Sequence, residues 1–394
     1  MKRSFGTIPL LLCFMWLSSI PEGFARQSDA IIQVRNPLKM DRMKEMVVVR
    51  WNDVRKVLPR ANPATIGLRN GVTGKEVAAQ TIDTNQDGEV DELICLADLK
   101  AGETESFVLQ DGTRPRTPFA SMTDARFVPP REDLAWENDR IAFRMYGPPL
   151  AEEGSNNGID VWTKRVCYLI VEKWYRGEEQ NPVISYHEDH GEGADYFTVG
   201  SSLGAGACAL LKNDSLYQPG VFEKHRVIAT GPLQAMFELT YKPVVYEGKK
   251  ITEIMRITLN AGSNLNKIEV TFLSGSRKGA VTFAAGLVKR KGTTIYGDRK
   301  NGWASLWGLT TEDKEVGYLG TGIVMPQAAM KEMKEDSVHV LIIGKAELGK
   351  TFTYYAGAGW TRSGDFATAE DWNNYLSEFA QKIRSPFIVR ISKK

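Results

Sequence analysis

The chain has 394 residues and a formal net charge of +2; 42% of its residues are hydrophobic and 25% are charged. These values are typical of a folded globular protein and exclude the disordered, collagen-like and coiled-coil classes. The near-neutral charge, without a run rich in Lys and Arg, argues against a nucleic-acid-binding protein. The length predicts two domains, or one large β architecture with an appendage.

The first 25 residues have the pattern of a secretory signal peptide. Lys2 and Arg3 precede an apolar run from Ile8 to Ile20, and Ala25 offers a small residue for cleavage. The run is too short for a comfortable transmembrane span. We therefore expect residues 1–25 to be removed and the protein to be exported, either periplasmic or secreted, without a membrane span.

Three cysteines remain after the predicted cleavage: Cys95, Cys167 and Cys208. An odd number in an exported chain allows at most one disulfide. Each cysteine lies in an apolar run, which favours buried free thiols.

Alternation of apolar and polar residues predicts antiparallel β-structure for most of the chain. In Lys267–Phe272 the residues Ile268, Val270 and Phe272 share one face of the predicted strand, and polar residues share the other. Further runs of this kind are Met46–Trp51, Gln234–Tyr241, Met255–Leu259, Val281–Leu287, Val338–Ile343, Phe352–Ala356 and Phe387–Ile391. Since the sequence has no βαβ alternation, a large antiparallel β-sandwich is the expected fold.

One helix is predicted near the end of the chain. Thr368–Asp371 resembles a capping box with Asp in place of Glu, and apolar residues then recur at helical spacing from Trp372 to Ile383. Pro386 ends the pattern.

A turn-rich stretch at residues 111–130 predicts a domain boundary. We expect a small N-terminal β-sandwich over residues 27–115 and a larger β-sandwich, which ends with the predicted helix, over residues 126–394.

The segment Asp83–Asp91 resembles the first part of a calcium-binding loop. Oxygen-bearing side chains stand at positions 1, 3, 5 and 9 of the motif, and Gly88 stands at position 6; the four residues are Asp83, Asn85, Asp87 and Asp91. Ile94 occupies the place of the expected glutamate, and no helical pattern flanks the segment, so it is not an EF-hand. A structural calcium site and an Asx/Gly hairpin turn remain alternatives; we expect no cofactor for catalysis.

A first polar cluster spans Trp136–Tyr146 and continues on the next predicted strand. Arg140 and Arg144 carry guanidinium groups suited to a carboxylate, and Trp136 could stack on a sugar ring. The alternative is a set of structural Arg–carboxylate pairs on a sheet face. We assign substrate binding to polar and aromatic residues of both segments: Trp136, Glu137, Asp139, Asp160 and Lys164.

A second and denser cluster spans Tyr186–Tyr196. Its two histidines, His187 and His190, belong to the residue type most used for general acid–base catalysis, although their spacing does not match a zincin motif. The alternative is a solvated acidic loop. We assign catalysis to Tyr186, His187 and His190 with Arg140 and Arg144, and further substrate contacts to Glu192, Tyr196 and His225.

Three other aromatic residues have weaker patterns. His339 lies inside an apolar run and is predicted to be a packed core histidine. Trp303 and Trp307 lie in a Gly-rich region, where sugar contact and plain packing are equally compatible with the sequence.

The two clusters and the acidic loop carry a resemblance to a known family. The stretches Ala135–Pro148, Asn157–Trp162 and Tyr186–Asp195 resemble the secreted Bacteroidetes proteins grouped as a domain of unknown function, DUF4861. The resemblance covers nearly all of the chain beyond the signal. It implies a role in polysaccharide utilisation, particularly of uronic-acid glycans, and similarity to an oligosaccharide dehydratase that acts on ulvan fragments. The later strands, residues 226–290, resemble the galactose-mutarotase-like supersandwich, a fold that hosts several chemistries.

Together these features favour a periplasmic enzyme that acts on uronic-acid oligosaccharides by elimination, as a dehydratase or a lyase. Arg140 or Arg144 would neutralise the uronate carboxylate, His187 or His190 would take the C5 proton, and Tyr186, Tyr196 or the other histidine would protonate the departing oxygen.

Three alternatives stay open. A glycoside hydrolase would use a carboxylate pair from Glu137, Asp139, Glu188 and Asp189. A non-catalytic glycan-binding protein would present an aromatic platform from Trp136, Trp162 or Trp303. The fold also permits a mutarotase or an epimerase.

Overall fold

The computed structural model describes residues 29–112, 119–275 and 278–394; the predicted signal peptide lies outside these ranges. Within them the chain is mostly antiparallel β-sheet, as the sequence predicts, with few helices. No helix in the described residues is both long and apolar enough to cross a membrane.

The elements before residue 113 are the strands β1 (Asp29–Arg35), β2 (Arg42–Arg50), β3 (Ile66–Asn70), β4 (Glu76–Val77), β5 (Ala79–Ile82), β6 (Glu92–Leu99) and β7 (Thr104–Asp111), and the helix α1 (Trp51–Val57). From residue 119 to Asn260 follow β8 (Thr123–Val128), β9 (Asp133–Asn138), β10 (Ala142–Met145), β11 (Asp160–Lys164), the helix α2 (Val171–Glu178), β12 (Gly193–Ala194), β13 (Ala205–Lys212), β14 (Ser215–Tyr217), β15 (Phe222–Ala229), β16 (Gln234–Tyr241), β17 (Val244–Tyr246) and β18 (Lys249–Asn260).

The remaining elements are β19 (Leu265–Ser274), β20 (Ala280–Val288), β21 (Thr294–Asp298), β22 (Trp303–Leu309), β23 (Tyr318–Val324), β24 (Met330–Glu335), β25 (His339–Glu347), β26 (Thr351–Trp360), the helix α3 (Ala369–Arg384) and β27 (Ile388–Lys393). Short 3₁₀ helices occupy Pro148–Glu153, Lys314–Val316 and Thr361–Ser363.

All the predicted strands form, with modest shifts at their ends. β16 matches the predicted run residue for residue, and Ile268, Val270 and Phe272 of β19 are fully buried on one face. Trp51 differs: it ends a predicted strand but begins α1.

The first part of the chain forms two sheets around their own apolar core. One sheet has the order β27-β1-β7-β3-β4, and the other has the order β2-β6-β5. Ile32, Trp51 and Phe107 belong to the core between them. The last strand of the chain therefore lies in the first sheet, where Ile32 pairs with Ile391.

The second part contains three sheets. Their orders are β12-β11-β10-β9-β8, β14-β13-β20-β25-β24, and β15-β16-β18-β19-β26-β23-β22-β21, with β17 paired to β18 in the last. One large apolar cluster joins these sheets, and Phe143, Phe237 and Phe283 are completely buried in it. This core holds the polar clusters of β9–β12 in fixed positions.

The predicted C-terminal helix is confirmed as α3. The Thr368 hydroxyl accepts from the Asp371 backbone N–H, and the Asp371 carboxylate accepts from Thr368, so the capping box is complete. Glycines on β23 let the helix approach the sheet: a Cβ on Gly320 or Gly322 would lie 2.7 Å from Trp372 or Leu376. Trp303 and Trp307 pack beneath this helix and are buried, so packing explains both.

Two of the three cysteines are buried as the sequence predicts, and Cys167 is not. Cys95 and Cys208 are buried free thiols, and burial raises the pKa of Cys95 to about 12. Cys167 is also free but is exposed, because it lies in the turn between β11 and α2 rather than in the core.

Candidate active site

Arg144 is the centre of a buried charged cluster built on two adjacent strands. It lies on β10, directly opposite Asp160 on β11. Its Nε and Nη2 donate to Asp160 Oδ2 at 2.9 and 2.6 Å, and Nη2 also donates to Asp195 Oδ2 at 2.8 Å. The structure thus brings together three residues that are distant in sequence but belong to the quoted motifs.

Aromatic rings surround this guanidinium. Its central carbon lies 4.9 Å from the ring centre of Tyr146, 5.1 Å from that of Trp162 and 5.6 Å from that of Tyr186. Arg144 Nη1 also donates to the Tyr186 hydroxyl at 3.2 Å. Trp162, Tyr186 and residues of α2 form a small apolar cluster, which shields the ion pairs from water. We call Arg144, Asp160, Asp195, Tyr146, Trp162 and Tyr186 the Arg144 cluster.

Two carboxylates, Asp160 and Asp195, share one cation in this cluster. Burial raises the pKa of Asp195, and the nearby Asp160 charge adds to the effect, while Arg144 opposes it. For Arg144, burial works to lower the pKa, but Asp160 and Asp195 outweigh it and raise the pKa. Arg144 therefore keeps its charge, and Asp195 is the carboxyl that readily holds a proton.

His187 lies at the solvent edge of the Arg144 cluster. Its Nδ1 is 3.6 Å from Asp195 Oδ2 and 3.3 Å from the Asp195 carbonyl oxygen, while 59% of its side chain is exposed. Since the Nδ1 edge contacts Asp195, the other ring nitrogen is the one available to a substrate. The Asp195 backbone carbonyl thus holds the ring, and the Asp195 carboxyl group lies just beyond hydrogen-bond distance. An exposed histidine held in this way is a common general base.

His190 lies on the same loop as His187, and its ring contact is with Ser185 rather than with Asp195. It is exposed, and its Nε2 lies 3.2 Å from the Ser185 carbonyl oxygen. It lines a cavity of about 360 Å³ between α2 and the loop that carries both histidines. Glu192, on the same cavity wall, accepts from Tyr168, Lys173 and Trp174 and is a structural anchor for α2.

Arg131 is a residue that the sequence reasoning missed. Its guanidinium carbon lies 5.6 Å from the Tyr186 ring centre, and its side chain is exposed. Burial raises the pKa of Tyr186, and the charges of Arg144 and Arg131 oppose that shift. Among the described residues no carboxylate forms an ion pair with Arg131. Only its place after Pro129 and Pro130 distinguishes it in the sequence, and that is no functional signal.

Arg140 and Arg144, either of which is predicted to neutralise a substrate carboxylate, are both engaged with carboxylates of the protein. Arg140 lies in the turn between β9 and β10 and pairs with Asp365, whereas Arg144 is committed to two buried aspartates. Both arginines therefore form structural Arg–carboxylate pairs, the alternative given for this cluster, because neither presents an unpaired guanidinium to solvent.

Trp136 is not a stacking platform, and that interpretation is wrong. It is 1% exposed, packs against Phe143 and Phe237, and donates from Nε1 to Asn266 at 2.7 Å. Strand alternation alone did not reveal that both faces of β9 are covered. Trp162 is likewise buried, so it cannot form an open platform either.

Glu137 and Lys164 form a second buried pair, at 2.6 Å. The Glu137 carboxylate also accepts from the backbone N–H groups of Ile170 and Val171 at the start of α2. This position fixes the helix and leaves Glu137 no access to a substrate, because both side chains are fully covered.

The remaining predicted residues are dispersed. Asp139 accepts from the Gly262 backbone at 2.6 Å, and Asp189 pairs with Arg165 at 3.0 Å. Tyr196 is half-buried beside Trp360, and the exposed His225 stacks on Phe127 at 4.1 Å. His339 is buried as predicted, and its Nε2 accepts from the Leu203 backbone.

The acidic loop at residues 83–91 is closed by its own hydrogen bonds. Asp83 accepts from the backbone of Gln86 and Gly88, Asn85 accepts from that of Asp87, and Asp91 accepts from Thr84. These are the contacts of an Asx-rich turn. The described ranges contain no group of three His, Cys, Asp or Glu side chains placed to hold a metal ion, so calcium binding here stays a prediction.

Comparisons with known proteins give one family and one fold. The family model described as "Domain of unknown function (DUF4861)" matches residues 34–389. A relative named "Uncharacterized protein P7", from Formosa agariphila, is 30% identical over 401 residues, which cover 97% of this chain and 99% of the relative.

Two solved structures from Enterococcus faecalis share the fold. One is an alpha-mannosidase (TM-score 0.51), and the other is a protein in the Glycosyl Hydrolase Family 38 (TM-score 0.50). Each is 12% identical and covers 92% of this chain, which spans 46% and 47% of their own lengths. The chain thus matches about half of each structure, and at this identity the likeness concerns the fold alone.

Proposed function

The chain belongs to the family described as DUF4861, and from that premise we propose that it is an exported carbohydrate-active enzyme. We propose further that it acts on uronic-acid oligosaccharides by elimination, as a dehydratase or a lyase. The observation that carries this proposal is the exposed His187 imidazole held against the buried Asp195 carboxyl group. The fold shared with an alpha-mannosidase is compatible with a saccharide substrate.

In this proposal His187 is the base. One ring nitrogen faces Asp195, so the other takes the proton from C5 of the uronate, and the electron pair left behind forms the C4–C5 double bond. The bond from C4 to its oxygen then breaks, and that oxygen receives a proton. Water leaves in a dehydratase, and a glycosyl group leaves in a lyase. Asp195 is a positioning residue, because it contacts His187 rather than the substrate.

Arg131 is proposed as the cation that neutralises the uronate carboxylate. The chemistry needs such a charge because removal of the C5 proton places negative charge next to the carboxylate. Arg131 is exposed beside Tyr186, whereas Arg144 already pairs with Asp160 and Asp195. This assignment replaces the one that the sequence suggested.

The leaving oxygen needs an acid. The Tyr186 hydroxyl is buried and accepts from Arg144, so it does not reach solvent. His190 is exposed on the same loop, three residues from His187, and we assign it this role. General acid–base help of this kind contributes about 10²–10⁴-fold to the rate.

The experiment is an elimination assay with the exported form of the protein. It is incubated with ulvan, rhamnogalacturonan and other uronate oligosaccharides while ultraviolet absorbance and mass are followed. New absorbance from an unsaturated uronate supports the proposal; loss of one water then identifies a dehydratase, and chain cleavage identifies a lyase. Shorter chains without new absorbance would contradict elimination and indicate a hydrolase. Binding without any conversion would leave a glycan-binding protein.

A further inference from the structure

A groove outside the Arg144 cluster lies on the polar face of the nine-stranded sheet, and Thr84 of the acidic loop is among its lining residues. It has a volume of about 480 Å³, within the range of small-ligand sites. None of its lining residues belongs to the Arg144 cluster or to the cavity beside His190. The proposed elimination reaction does not involve this groove, so a role for the groove goes beyond the proposed function.

The floor of the groove is a row of side chains across four neighbouring strands. Met236 on β16 is opposite Thr258 on β18, Thr258 is opposite Lys267 on β19, and Lys267 is opposite Tyr355 on β26. The sheet β2-β6-β5 covers one side through Met43 and neighbouring residues of β2. This surface is the outer face of the sheet, since the alternate residues of β18 point into the core.

Helix α3 forms the opposite wall. Phe379 meets the Tyr355 ring edge to face at 4.9 Å, and Lys382 lies one turn further along the helix. The wall therefore offers an aromatic ring held in place by a second ring. Tyrosine rings in such positions pack well against the apolar face of a sugar.

Two buried polar atoms in the groove have no partner in the protein. They are the Thr258 hydroxyl and the Gln234 Oε1, and each residue is only 5% exposed. The amide nitrogen of Gln234 already donates to Asn260, so its free oxygen needs a donor. Buried polar groups are almost always hydrogen-bonded, and a hydroxyl group is one donor that could serve each of these atoms.

The charges on the floor of the groove favour a ligand without a carboxylate, whereas Lys382 on the α3 wall forms no ion pair among the described residues. Lys267 pairs with Glu269 at 2.9 Å, and Arg256 pairs with Glu238 at 3.0 Å, so these cations are already neutralised. Glu92 has no ion pair within the described chain, and its burial raises its pKa. An added carboxylate would meet Glu92 and Glu269, whereas a hydroxyl group could donate to either.

We propose that this groove binds a neutral stretch of an oligosaccharide, whose hydroxyl groups donate to Gln234 and Thr258 and whose sugar face packs on Tyr355. The groove holds the chain of the glycan and carries out no chemistry on it.

The test measures binding by calorimetry with four probes: xylohexaose, mannohexaose, cellohexaose and hexagalacturonate. The full exported chain and its variants Thr258→Val and Tyr355→Ala are compared. Thr258→Val replaces an unpartnered hydroxyl by a methyl group, so the fold should tolerate it. Thr252→Val is the matched control, because it lies on the same face of β18 outside the groove.

We expect at least one neutral hexasaccharide to bind. Thr258→Val should weaken it about 3- to 10-fold and Tyr355→Ala about 10-fold or more, with Thr252→Val unchanged. The proposal is overturned if no neutral probe binds, if only hexagalacturonate binds, or if both groove variants bind as the unmodified protein does.

Discussion

The Asp195 carboxyl group lies 3.6 Å from Nδ1 of His187, although Asp195 is buried and His187 is more than half exposed. If this contact orients the base, Asp195→Asn should lower kcat by about 10-fold or more while KM changes little. It should also alter the pH profile, because the pKa of Asp195 is raised by burial and by Asp160. A uniform loss of folded protein, without a changed pH profile, would instead mean a purely structural role.

Replacement of the base itself gives a second prediction. His187→Ala should reduce the rate of elimination by about 10²–10⁴-fold. His225→Ala is the matched control, because His225 is also exposed but stacks on Phe127. Steady-state rates from the absorbance assay compare the two. Equal activity of the two variants would show that His187 is not the catalytic base.

The role of Arg131 is tested by the charge of the substrate. Arg131→Ala should lower kcat/KM for a uronate substrate by about 10-fold or more, since a hydrogen bond to a charged group is lost. With the corresponding methyl ester, in which the carboxylate is neutral, the two proteins should differ far less. A defect of the same size with both substrates would show that Arg131 does not read the carboxylate.

Glu253 makes the stability of the fold depend on pH. It is buried in the core with Cys208 Sγ at 3.6 Å, and burial raises its pKa from 4.5 to about 8. The folded state therefore holds this proton more tightly than the unfolded state does. The contribution of protonated Glu253 to the free energy of unfolding is fully present below pH 4.5. As the pH rises from there toward 8, this contribution falls by about 1.4 kcal/mol per pH unit.

Urea unfolding at several pH values between 5 and 8 measures this effect. Glu253→Gln is neutral at every pH and should flatten the decline in the free energy of unfolding. Glu223→Gln, at an exposed position, should leave the decline unchanged. An identical slope in all three proteins would mean that Glu253 is ionised in the fold.

Removal of one partner of the buried Glu137–Lys164 pair should lower the free energy of unfolding far more than replacement of both partners by neutral residues. Lys164→Met leaves the Glu137 carboxylate buried without its cation and should destabilise the protein by about 3–5 kcal/mol. The double variant Glu137→Gln/Lys164→Met should recover much of that loss. Thermal unfolding of the single and double variants measures the difference, and an additive result would exclude direct coupling.

The sequence predicts the strands and α3 well because their signals are local. Alternation along β19 and the capping box of Thr368 and Asp371 involve neighbours within a few residues. Helix α2 escapes prediction because it has only eight residues, and the carboxylate at its start comes from Glu137, more than thirty residues earlier.

The sequence predicts only part of the site, because its patterns report on neighbours along the chain and not on contacts between distant segments. The motifs contain His187, Asp195, Arg144 and Asp160. The sequence does not reveal that Arg144 forms ion pairs with both Asp160 and Asp195 and is therefore not available to a substrate. Arg131 has no local signal, since its contact with Tyr186 spans 55 positions. Trp136 is misjudged because burial of a strand on both faces depends on sheets that form elsewhere in the chain.

The pairing of β27 with β1 links the order of synthesis to the order of folding. Residues 29–35 leave the ribosome early, yet their sheet lacks an edge strand until residues 388–393 have followed. Contacts that join such distant segments form slowly. Until then one side of β1 presents unpaired backbone groups, which would invite association with other chains. Synthesis through residue 393 is thus a condition for completing the sheet that contains β1, and a chain without β27 would be prone to aggregate.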